Sequence, residues 1–226
     1  MARNELAVDS VGEAYLALLA ARGVDYLFAN AGTDFAPLVE AFAKAARTGT
    51  PIPKPVLATH ENLALSMAHG YAMVTGRVPA VMVHVSVGTA NGVCAAFNAA
   101  RENVPMLFTA GRSPLTEEGM AGTRDVYIHW AQEMFDQAGM VREIVKWDYE
   151  LRNGQQLETV VDRALAIATS APKGRSICHC RARCWRRRFR DSLTTCRAAG
   201  PARRRPDLTR PRSTRRRESS RRRSIR

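Results

Sequence analysis

Glu61 is the residue whose surroundings say most about chemistry. It stands in Thr59-His60-Glu61-Asn62-Leu63-Ala64, after a short apolar run and at the head of a helical pattern. A carboxylate in a first helical turn has an ordinary explanation, because it meets the positive end of the helix dipole. A partly buried carboxyl with a raised pKa is also suited to exchanging a proton. Asn91, in Ser86-Val87-Gly88-Thr89-Ala90-Asn91-Gly92, has two readings at its helix start, a cap or a polar contact to a ligand. Asn30, Ala31, Gly32 and Thr33 form a small-residue turn, either an ordinary strand-to-helix connection or backbone presented to a ligand. His60 reads as positional, packed beside Glu61. His69, with Leu65 and Ala72 at helical spacing, and His84, in an apolar run, read as structural, and Cys94 as core.

The elements that must position these residues alternate between helix and strand. Ser10-Val11-Gly12-Glu13 reads as a capping box, and the helix it opens ends at Gly23. Tyr26–Phe28, Pro55–Ala58, Val78–Val87 and Pro105–Ala110 read as buried strands, with a further strand near Val141–Val145. Between them lie helical patterns: one marked by Phe35, Leu38, Val39 and Phe42, then Glu61–Val74, Ala90–Ala100, a short one near His129–Phe135, and one from about Gln155 to Ala168. Strands apolar on both faces, alternating with helices, predict an α/β fold: a doubly wound parallel sheet with helices on both faces. Such sheets bind ligands beyond the carboxyl ends of their strands. Here those ends are Asn30–Thr33, Thr59–Glu61, Ser86–Asn91 and Gly111–Ser113.

Charge divides the chain in two. Its 34 Lys+Arg against 21 Asp+Glu give +13. Residues 175–226 hold 20 Arg and 3 acids, or +17, so residues 1–174 carry 14 basic and 18 acidic residues, or −4. The body is mildly acidic, which excludes a uniformly basic nucleic-acid-binding fold. No apolar run approaches the roughly 18–20 residues of a membrane span, and Met1–Asp9 shows no signal peptide. One cysteine in the body fits a reducing, cytoplasmic setting.

Taken in order, the motifs resemble the N-terminal, pyrimidine-binding domain of thiamine-diphosphate-dependent enzymes in the acetolactate-synthase-like group. The resemblance rests on a strand ending in His60-Glu61, then Ala68-His69-Gly70-Tyr71-Ala72 with Gly76, the Gly88-Thr89-Ala90-Asn91 turn, and Asn98-Ala99-Ala100 leading to Val104-Pro105-Met106-Leu107. Gln132-Glu133 is similar to a segment near the family's active-site mouth. The resemblance covers roughly Asp9 to Gly174. It implies that Glu61 activates the cofactor, through a hydrogen bond to the pyrimidine ring that lets the exocyclic amino group take the thiazolium proton. It implies that Asn91 and the Asn30–Thr33 loop face thiamine diphosphate, that the substrate is a small 2-oxo acid, and that intact members work as homodimers or homotetramers, some with FAD. The family holds Mg²⁺ and the diphosphate on a Gly-Asp-Gly…Asn segment of a later domain, and this chain has no Gly-Asp-Gly. The expectation is therefore a domain inactive by itself.

The continuation departs from the family pattern at Gly174. Arg175-Ser176-Ile177-Cys178-His179-Cys180-Arg181 stands where the family has Pro-Val-Tyr-Leu, then Leu-Pro-Arg. Reading the possible codons one base earlier permits Pro-Val-Tyr-Leu-Ser-Leu-Pro-Arg. The expected organisation is thus a domain over residues 1–174 and a disordered Arg-rich tail over 175–226, a frameshift product. The tail would bind nucleic acid only adventitiously, as any polyarginine does, and its Cys178-His179-Cys180 with Cys184 lacks the spacing of a zinc site. The alternative is a folded acidic domain with an evolved arginine-rich nucleic-acid-binding arm.

Overall fold

A computed structural model describes residues 8–119 and 122–181, the last seven by their backbone. Six parallel strands form one sheet: β1 Tyr26–Ala29, β2 Lys54–Leu57, β3 Ala80–Val83, β4 Met106–Arg112, β5 Trp147–Leu151 and β6 Arg175–Arg181, in the order β2-β1-β3-β4-β6-β5. Helices α1 Val11–Ala21, α2 Ala36–Thr48 and α6 Leu157–Thr169 cover one face, and α3 Glu61–Thr75 and α4 Val85–Arg101 the other. The strand residues divide between the faces with period two. Leu27, Ala29, Ala80, Met82 and Leu107 join the first core, whereas Phe28, Val81, Val83, Met106 and Phe108 join the second. This is why the strands read as apolar throughout. Among the described residues no helix is long and apolar enough to cross a membrane.

The chain runs from β1 outward to β2, then returns past β1 to β3. Two crossovers therefore leave in opposite directions from the β1–β3 pair, opening a crevice at its carboxyl end. The connection after β1 (residues 30–35) and the first turn of α4 meet there. Leu27↔Ala80, Phe28↔Val81 and Ala29↔Met82 set that pair's register, and Asn30 N–H extends it by donating to Met82 O at 3.3 Å.

Several boundaries differ from the sequence reading. The apolar stretch to Val87 is not all strand. β3 stops at Val83, and α4 begins at Val85, with Gly88 N–H donating to His84 O at 2.7 Å. Apolar content hid the change of period. Val141–Val145 is not a strand either. Ala138–Met140 and Arg142–Ile144 are successive 3-10 turns, and the strand follows as β5. A spacing of three brings Val141, fully buried, and Ile144 to the α3/α4 core, which suits 3-10 geometry. Near His129–Phe135 only α5, Ile128–Ala131, is helical. Cys94 is exposed rather than core, because it shares the outward stripe of α4 with Val87, Asn91 and Phe97, while Ala95, Ala96 and Ala99 face inward.

The expected end of regular structure at Gly174 also needs correction. Arg175–Arg181 forms β6, seated between β4 and β5. Parallel pairing is made by main-chain N–H and C=O groups, which every non-proline residue supplies. The expected disorder of the tail beyond Arg181, and its Arg clusters, lie outside the described residues.

Candidate functional site

Glu61 opens α3, and His60 caps that helix by accepting Asn62 N–H on Nδ1 at 3.1 Å. The cap holds the Glu61 backbone at the first helical position, where its side chain turns toward α4. Glu61 is only 7% exposed. Asn91 Nδ2 donates to its Oε2 at 3.1 Å, so the two residues singled out in the sequence meet across the helix pair. Asn62 fastens the same pair, its Oδ1 accepting Ala95 N–H at 2.9 Å. Gly88 passes close by, and a Cβ there would stand 3.1 Å from Glu61 Oε1. Any larger residue there would crowd that oxygen. Oε1 takes no hydrogen bond from the described residues, leaving one carboxylate oxygen held and the other available.

A second cluster, not foreseen from the sequence, stands beside the first. His84 is the residue between β3 and α4, not a strand interior. Its Nδ1 lies 2.6 Å from Asp34 Oδ1, and its Nε2 lies 3.1 Å from the Gln132 side-chain nitrogen. In the neutral ring, Nδ1–H donates to Asp34 and Nε2 accepts from the Gln132 amide. Asp34 is buried, and its Oδ2 lies 3.5 Å from Val85 N–H. The hydrogen bond to Asp34 raises the His84 pKa from its usual value; burial opposes this, and the charges of Asp34 and Glu61 reinforce it. Glu61 and His84 therefore share one electrostatic neighbourhood.

Close approaches on three sides build this cluster. A Cβ on Gly32 would fall 2.2 Å from His84 Cγ and Nδ1, and one on Gly111 would fall 1.6 Å from Asp34 Oδ2. Val85 has φ +30°, a left-handed value that costs a β-branched residue about 1–3 kcal/mol. The turn from strand to helix is thus bent sharply at the residue after His84. Of the Asn30–Thr33 loop, Ala31 and Thr33 are exposed, and Gly32 lies under the imidazole. The loop meets His84, and reaches Glu61 only through it.

Residues 113–119 and 122–137 flank the crevice from the side of β4. Arg112, at the end of β4, donates to Glu150 Oε2 at 3.0 Å, Glu133 Oε1 at 2.7 Å and Met134 O at 2.6 Å. Arg124 grips the other oxygen of Glu133 and donates to Pro114 O at 2.6 Å. Ser86 Oγ donates to Gln132 O at 3.0 Å, and the Gln137 amide donates to Thr89 Oγ1 and Gly111 O, both at 2.9 Å. Gln132-Glu133 thus divides its work: Gln132 reaches His84 and Glu133 anchors the loop. His69 is not the satisfied structural histidine expected: its Nε2, 3.5 Å from a Glu102 oxygen, is buried without a hydrogen-bond partner among the described residues. Among the described residues no group of three or more His, Cys, Asp or Glu could hold a metal ion. The sequence reading named Gln132 by resemblance and took His84 as structural, but it did not pair them with each other or with Asp34, because His84 lies 50 residues from Asp34 and 48 from Gln132 in the chain. The available signal was a histidine at the C-terminal end of a strand next to a switch point.

Comparison with known proteins bears on the family. The family described as thiamine pyrophosphate enzyme, N-terminal TPP binding domain, matches residues 9–140. Benzoylformate decarboxylase of Pseudomonas aeruginosa is 28% identical over 170 residues, covering 74% of this chain and 29% of that protein. The mitochondrial acetolactate synthase catalytic subunit of Saccharomyces cerevisiae is 25% identical over 163 residues, covering 72% of this chain and 22% of that one. The solved thiamine diphosphate-dependent 4-hydroxybenzoylformate decarboxylase of Rhodococcus jostii RHA1 superposes with a TM-score of 0.65 at 26% identity, covering 78% of this chain and 31% of that structure. The chain spans less than a third of the length of each of these relatives. With more than half of its residues matched, the chain belongs to the thiamine pyrophosphate enzymes, as an N-terminal TPP-binding domain of the acetolactate-synthase-like and decarboxylase group.

Proposed function

We propose that this chain supplies the pyrimidine side of a thiamine diphosphate site for an enzyme acting on 2-oxo acids. Glu61 carries the reading. It is a buried carboxyl with Oε2 bonded by Asn91 and Oε1 beside Gly88, taking no hydrogen bond from the described residues. A carboxyl oxygen so placed suits a hydrogen bond to a ring nitrogen of a flat heterocycle. When bound, thiamine diphosphate would supply the electron sink for breaking a bond beside the 2-oxo group. Glu61 would hold or release a proton at Oε1. Asn91 would keep the carboxyl from rotating. His84, held by Asp34, would present a second proton-carrying nitrogen, and Gly32 lets it sit at that height.

The diphosphate and Mg²⁺ anchors belong to the part of the relatives that this chain does not span. One hydrogen-bonded carboxyl contributes about 1.5–3 kcal/mol, against the roughly 8.2 kcal/mol of micromolar affinity. On this reading the chain alone should turn over no 2-oxo acid. A homodimer is the partner state that the outward apolar stripes of α3 and α4 favour. Leu63, Met67, Val74, Val87 and Phe97 are exposed on two adjacent helices, a patch that monomers rarely leave uncovered. Titration calorimetry with thiamine diphosphate and Mg²⁺ tests the reading. The chain should show no micromolar binding, whereas the reading frame restored after Gly174 and carried into the later domains should bind and release CO₂ from a 2-oxo acid. Glu61→Gln in that longer protein should remove most turnover. A restored protein indifferent to Glu61→Gln would refute the assignment.

A further inference from the structure

Both ring nitrogens of His84 are engaged, Nδ1 with Asp34 at 2.6 Å and Nε2 with the Gln132 amide nitrogen at 3.1 Å. The two contacts are unequal. The first joins the imidazole to a buried carboxylate, and such charge-assisted bonds are about twice as strong as neutral ones. The second joins the neutral ring to a neutral amide. The main chain of Gln132 is pinned. Its carbonyl oxygen accepts from Ser86 Oγ at 3.0 Å, its N–H donates to Ile128 O at 2.9 Å, and the neighbouring Glu133 is gripped by Arg112 and Arg124. That leaves the Gln132 side chain as the part able to move, and it has somewhere to go. It lines a cavity of about 230 Å³ whose wall includes Thr33, Thr123 and Asp125, acceptors for an amide that turns away from His84.

We propose that Gln132 is a removable cover on His84: its amide closes off Nε2, and must turn aside before that nitrogen can exchange a proton with anything in the crevice. The inference rests on the functional reading above, in which His84 carries a proton, and adds what controls it. Gln132 acts through His84 and is a positioning residue, not a catalytic one. Asp34 stays in place throughout, since it is buried and makes the stronger bond. Opening gives up one neutral hydrogen bond, which leaves the covered form ahead by roughly 2–13-fold.

Carbethoxylation of the 226-residue chain by diethyl pyrocarbonate tests the cover without cofactor or substrate. The unprotonated Nε2 attacks a carbonyl carbon of the reagent, ethyl carbonate leaves, and the Nδ1 proton passes to solvent. His84 is the only histidine in residues 78–101, the tryptic peptide that Arg77 and Arg101 delimit, so mass spectrometry follows it alone. Measuring the rate against pH separates the high-pH plateau, set by access, from the midpoint, set by proton affinity. Gln132→Ala should raise the plateau about 3–14-fold and leave the midpoint raised, because Asp34 is its first cause. Gln132→Glu should move the midpoint further up, since a carboxylate on Nε2 favours the charged ring. His60 should react at an unchanged rate in both variants. A plateau unmoved by Gln132→Ala, or raised equally at His60, would overturn the proposal. Where the alanine variant folds poorly, an unmoved midpoint in Gln132→Glu does so. None of these readouts uses thiamine diphosphate, so the cover can fail while the cofactor reading stands, and calorimetry on the longer protein can fail while the cover stands.

Discussion

Gly32→Ala is a small substitution with a large calculated consequence. The backbone at Gly32 has φ −133°, which any residue adopts, so the effect is steric alone. The added methyl would lie 2.2 Å from two atoms of the His84 ring and 2.7 Å from a third, more than 1 Å inside normal contact. Two routes relieve the overlap. If the imidazole moves, it loses the 2.6 Å bond to Asp34, a charge-assisted contact of about 1.5–3 kcal/mol. If the loop moves, Asn30 N–H loses Met82 O and Phe35 N–H loses Gly32 O, two neutral bonds of about 0.5–1.5 kcal/mol each. Both routes cost about 1–3 kcal/mol, which at a urea slope of about 1–3 kcal/mol/M lowers the unfolding midpoint by roughly 1 M. Gly70→Ala is the control. Gly70 lies within α3 with nothing within 4 Å of an added Cβ, so alanine should stabilise by about 0.5–1 kcal/mol. NMR titration of His84 separates the routes, since a displaced ring loses its raised pKa and a displaced loop does not. An unchanged midpoint together with an unchanged His84 titration would show that the ring does not rest on Gly32.

Two further outcomes can be measured. Asp34→Asn removes the principal cause of the raised His84 pKa. A group whose folded pKa is raised adds stability that is full below its unfolded value, about 6.5, and is lost as pH rises through the folded value. The variant's deficit in urea unfolding should therefore be largest near pH 6 and shrink as pH rises past the folded His84 pKa; a pH-independent deficit would contradict the pairing. Phe97→Glu places a charge on the outward stripe of α4 and should shift sedimentation toward monomer and reduce hydrophobic-dye binding, without lowering thermal stability by more than about 0.5 kcal/mol.

Glu61 was legible because it opens a helix that the sequence announces locally, and the order of motifs joined Asn91 to it, although Asn91 lies inside α4 rather than at its start and so does not cap it. The parallel sheet was legible because its strands are apolar on both faces, which is a composition signal. Neither kind of signal reaches His84 and Asp34. Each lies in a run with an adequate local explanation, a strand for one and a turn for the other, and their pairing exists only once β1 and β3 are side by side. The start of α4 was misplaced for a related reason. Val85 to Gly92 carries small and apolar residues that serve a strand as well as a tightly packed helix, and the bend at Val85 has no composition signature.

The seating of β6 has a consequence for how the chain assembles. The strand enters between β4 and β5, both of which precede it. From Leu151 at the end of β5 to Arg181 at the end of β6 is 30 residues, about 2–6 s of ribosomal synthesis at ~5–20 residues per second. Throughout that interval β4 has an unpaired margin on one side, and β5 has no neighbour to pair with. The nascent domain must wait with a slot one strand wide, and any extended peptide that reaches it first, from the same ribosome or another, can occupy it. The span just after β5 is thus when this polypeptide is most exposed to misassembly, and a chaperone acting on it has its work concentrated there.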